Sequence, residues 1–220
     1  MKEYTLMDSL FLHIYASVEN FKTEIDKSVE TEDNLSIKNK IMELESFIFC
    51  INLLVFELKI QNKMNTDNDS KILVDIITDL FSYFNVEYKD NNQYLFFSSI
   101  EKYLSLYIER YNIYQKMMIK GTDHFIKSYI NIINCEFDKL MIIDNFSLKM
   151  LNKLPLSQKW KVAFRGSFEL FDKTINNIKK IITYFFNDGI TYFYNNINNL
   201  EIIKYHQKNI DCTSIVITRQ

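Results

Sequence analysis

The chain has 220 residues, 47% of them hydrophobic and 25% charged, with a formal net charge of -2. That apolar share excludes a disordered chain, and the near-neutral charge gives no broad electrostatic reason to bind nucleic acid or an acidic membrane. Three glycines and one proline are too few for the many turns of a sheet protein, so long helices with few connections are expected.

The start, Met1-Lys-Glu-Tyr-Thr-Leu-Met-Asp, does not read as a signal peptide, because Glu3 and Asp8 interrupt any apolar run. From Tyr4 to Glu30 the spacing predicts an amphipathic helix. Phe11, Ile14, Val18, Phe21 and Ile25 step alternately by three and four, the seam of helices packed side by side at about 20°. Thr31-Glu-Asp-Asn34 is a polar break that can cap the next helix.

The most apolar stretch of the chain follows. From Phe47 to Phe56 every position except Asn52 is apolar. A membrane span needs about 20 such residues to cross about 30 Å of hydrocarbon, and here Glu43, Glu45, Glu57 and Lys59 crowd the run. The expected element is instead a helix from Leu35 to Lys63 buried on nearly all sides, with amphipathic helices around it. Asn62 to Ser70 reads as a polar loop.

A third helix is expected from Lys71 to Phe84, with a polar break over Asn85–Gln93 and a turn at Asp90-Asn-Asn92. Tyr94–Phe97 opens either a strand or the next helix. That helix carries the stripe Ile100, Leu104, Tyr107, Tyr111, Tyr114 and Met118, and stops at Gly121. A further stripe, Phe125 to Leu140, runs out near Asp144. The gap from Asp144 to Pro155 is the one candidate sub-domain boundary in an otherwise single domain, 1–220. Beyond it, Trp160, Phe164, Phe168, Phe171, Ile175, Ile178, Ile182 and Phe185 continue at helical spacing to a break at Asn187-Asp-Gly189, after which Ile190, Phe193, Ile197 and Leu200 resume. Ile182-Thr-Tyr-Phe-Phe-Asn187 and Ile190-Thr-Tyr-Phe-Tyr-Asn195 are near copies eight residues apart. Eight residues is just over two helical turns, so they read as duplicated helix, with two strands around an Asp-Gly turn as the alternative. The tail Thr213–Thr218 is β-branched and reads as an edge strand or disorder. The predicted fold class is all-α: an irregular bundle of six to eight helices, with a short C-terminal strand as an option.

No motif singles out catalytic chemistry. His13, His124 and His206 form no Glu-x-x-His pair, Cys50, Cys135 and Cys212 form no C-x-x-C, and glycines at 121, 166 and 189 make no phosphate loop. No catalytic residue, metal site or cofactor is therefore assigned, and the odd cysteine count reads as reduced thiols in a cytoplasm. Candidate partner-binding residues are Tyr103, Tyr107, Tyr111 and Tyr114, which share one side of one helix. They form either a groove for a partner or a packing seam. Arg110 and Arg165 join them because arginine is scarce and suited to bidentate recognition, and Trp160 because it opens the aromatic region around Arg165. Three functions follow as expectations. The first is a non-catalytic adaptor, inhibitor or sensor binding a protein or peptide, with self-association as a variant. The second is an enzyme or ligand binder assembled from distant helices. The third is a nucleic-acid-associated protein using Lys149, Lys153, Lys159, Lys161, Lys173, Lys179 and Lys180.

Overall fold

The computed structural model describes residues 5–26, 35–91, 99–118, 120 and 167–199. They form six α-helices and, among the described residues, no strand: α1 (Leu6–Asp26), α2 (Leu35–Ile60), α3 (Asp67–Asn91), α4 (Ile100–Met118), α5 (Ser167–Phe185) and α6 (Ile190–Asn195). The expectations for Tyr94–Phe97, for the helix through Phe125–Leu140, for the boundary at 144–155 and for the tail fall outside the described residues.

The apolar run in α2 is the centre of the core. Phe47, Ile48, Phe49, Cys50, Ile51, Leu53, Leu54, Val55 and Leu58 are all buried, and only Phe56 is half-exposed. Burial on all sides needs neighbours on all sides. Phe11 of α1 meets Phe47 at 6.1 Å and Phe21 meets Phe49 at 5.2 Å. The three-four spacing of α1 marks its buried face, with Phe11, Ile14, Val18 and Phe21 all buried. On another side Phe47 stacks on Phe84 at 4.5 Å and meets Phe81 edge-on at 5.5 Å, which packs the far end of α3 on the middle of α2. Phe81 in turn stacks on Tyr103 of α4 at 5.6 Å.

Helix ends follow local chemistry that explains where two boundaries depart from expectation. α2 ends at Ile60, short of Lys63, because Asn62 turns left-handed (φ 53°). The Lys63 N–H then donates to Leu58 O at 2.9 Å and the Asn62 N–H to Lys59 O at 3.1 Å, the paired bonds of a Schellman stop with asparagine in the usual glycine place. α3 starts at Asp67 rather than Lys71. The Asp69 N–H donates to Thr66 Oγ1 at 3.1 Å while the Thr66 N–H donates back to Asp69 Oδ2 at 2.8 Å, a reciprocal capping box. Thr5 and Asp8 do the same for α1, at 3.0 and 2.7 Å. α3 also runs on to Asn91, through the expected break at Asn85. That segment has neither proline nor glycine, and polarity alone does not stop a helix. Tyr103 donates to Asn85 Oδ1 at 3.1 Å, tying this part of α3 to α4.

The duplicated segments are helical in both copies. Ile182 and Ile190 are buried, as are Phe185 and Phe193, while Tyr184 and Tyr192 are 40% and 47% exposed. Gly189 between them has φ +90° and ψ 167°, a conformation open essentially only to glycine. α6 ends at Asn195 in a turn, earlier than the resumed stripe implied. This C-terminal piece fastens the front of the chain: the Ile190 N–H donates to Lys63 O at 3.3 Å, Lys63 Nζ to Asn187 O at 2.5 Å, and the Leu6 N–H to Ile197 O at 2.9 Å.

Candidate functional site

α4 carries most of the candidate residues. Its buried positions are Tyr103, Leu106, Tyr107, Arg110 and Tyr114, with Ile100, Leu104 and Tyr111 only half-buried. Of the expected stripe, Tyr107 and Tyr114 are buried, and the buried face also takes in Tyr103, Leu106 and Arg110. Arg110 reaches Glu45 of α2 through Nε at 3.2 Å to each carboxylate oxygen and through Nη2 at 3.0 Å to Oε1, and its Nη1 donates to Glu109 at 2.6 Å. Pattern reading treats arginine as a surface residue. Here the paired guanidinium is 5% exposed and its partner Glu45 2%. Ile108, outside the expected stripe, is 58% exposed.

The charges in this pair are held by each other. Burial pushes the Glu45 carboxyl up from its ordinary range, opposed by the adjacent Arg110. Burial works against the Arg110 charge as well, but Glu45 and Glu109 beside it leave the guanidinium above its usual value. Both edges of the guanidinium are engaged by carboxylates, so the geometry is that of an interhelical clamp rather than an open anion receptor. Lys59 Nζ donates to Tyr111 OH at 2.5 Å. Glu45 and Lys59 stand about 21 Å apart along α2, so the adjacent residues Arg110 and Tyr111 reach in opposite directions and seat α4 over the middle of α2. On the α1 side, Tyr15 OH donates to Glu43 at 2.6 Å.

The tyrosine row divides. Tyr103, Tyr107 and Tyr114 lie in the core, where Tyr107 meets Phe81 at 6.1 Å and Tyr114 meets Phe49 at 5.8 Å. Burial pushes the Tyr107 hydroxyl well above its ordinary range. Tyr111 remains half-buried under Lys59. Trp160 and Arg165 lie outside the described residues, as do His124, His206, Cys135, Cys212, Lys149, Lys153, Lys159 and Lys161. His13 sits edge-on to Phe185 at 5.2 Å with its Nδ1 on Ser9 O at 2.7 Å, and burial lowers its pKa. The Cys50 thiol is pushed up to about 12 by burial, which leaves it inert. Among the described residues no group of three or more His, Cys, Asp or Glu could hold a metal ion, and no helix is long and apolar enough to cross a membrane.

A second polar cluster escaped sequence reasoning. Asp69, buried at the start of α3, accepts from the Asn65 and Thr66 N–H groups at 2.8 Å each and from Thr191 Oγ1 of α6 at 2.7 Å. The Thr191 hydroxyl first, then the backbone donors, hold its carboxyl down at about 2. The local half was legible as Thr66-x-x-Asp69. The Thr191 half, 122 residues away, was not.

At the surface, the outer face of α5 carries Lys173, Lys179, Lys180 and Tyr184, all exposed. Among the described residues the other large exposed apolar side chains are Ile60, Val74, Ile108 and Tyr192. No family model, no curated protein and no solved structure matches the chain.

Proposed function

We propose that the chain is a non-catalytic interaction protein that binds a protein partner through a helical surface. The observation that carries this reading is the repeated outward tyrosine. In both copies of the duplicated segment the isoleucine and phenylalanine turn into the core, while Tyr184 and Tyr192 stay 40% and 47% exposed. Tyrosine is enriched at protein interfaces because it offers a large rigid apolar face and one polar tip. The strongest polar clusters, Arg110 with Glu45 and Asp69 with Thr191, are spent on holding helices together. A cytoplasmic location goes with this reading, since Cys50 is a buried free thiol.

The test is site-specific photo-crosslinking of the full chain in its own host. A photoreactive phenylalanine replaces Tyr184, Tyr192, Val74 or Ile108 one at a time, with the buried Tyr114 position as control. The expected result is a discrete adduct with one protein from Tyr184 or Tyr192, reproduced with the purified pair. Absence of an adduct from all four exposed positions overturns the reading.

A further inference from the structure

We draw no further inference here: the strongest candidate, the side-chain cluster of Asp8 on α1 with Asp75, Asp79 and Tyr83 on α3 and Tyr194 on α6, is a patch of carboxylates that shares its exposed arc of α3 with Lys71, and among the described residues nothing in the structure shows what ligand or partner it would take.

Discussion

Arg110 was singled out in the sequence for its rarity, yet its role is set by a residue 65 positions away. Glu45 reads as a charge flanking a greasy run, and Arg110 as a charge beside an aromatic stripe. Neither announces that it is buried. Removing one partner of a buried pair leaves an uncompensated charge, which costs about 3–5 kcal/mol, whereas replacing both with apolar residues of similar volume is close to neutral. Glu45→Ala is therefore expected to lower unfolding free energy by about that amount in urea titrations, while E45L/R110M recovers most of the loss. A single-variant cost below about 1 kcal/mol, the range of surface pairs, would show that the clamp does not carry α4.

For a whole helix, the apolar period identifies an element but leaves its ends to local chemistry. α2, the buried faces of α1 and α3 and the break at Asn187–Gly189 were legible because three-four spacing and turn residues are local signals. The start of α3 at Asp67 was legible too, as Thr66-x-x-Asp69, but the surrounding polar residues obscured it. Gly189 is the joint on which α5 and α6 depend. A Cβ there would sit 3.7 Å from Lys63 O, an ordinary contact, so space is no obstacle. The φ of +90° is the obstacle. Gly189→Ala is expected to destabilise by about 1–3 kcal/mol, read as a lowered melting temperature, with helix content of the folded state unchanged.

Across the molecule, the C-terminal piece ties α1, α3 and the loop after α2 together, and Asp69 is an ionisable group in that tie whose carboxyl is strongly shifted. Its carboxyl is held at about 2 in the fold, below the ordinary 3.8. A depressed carboxylate contributes stability that is fully present above its unfolded value and is lost as pH falls through its folded one. Stability should therefore decline between about pH 4 and pH 2. Asp69→Asn should flatten that part of the profile while lowering stability at neutral pH, measured by urea midpoints across the acid range. An unchanged acid slope would show that Asp69 is not the group that titrates. The amino-acid order by itself determined an all-α chain built around the run Phe47 to Phe56, since helical period and a shortage of glycine and proline act within a few residues of each position. Tertiary structure alone decided that Arg110 is core and that Thr191 completes the carboxylate cage at Asp69. Those outcomes depend on which distant helix supplies the partner, and a pattern that repeats every few residues carries no record of contacts made 65 or 122 positions away.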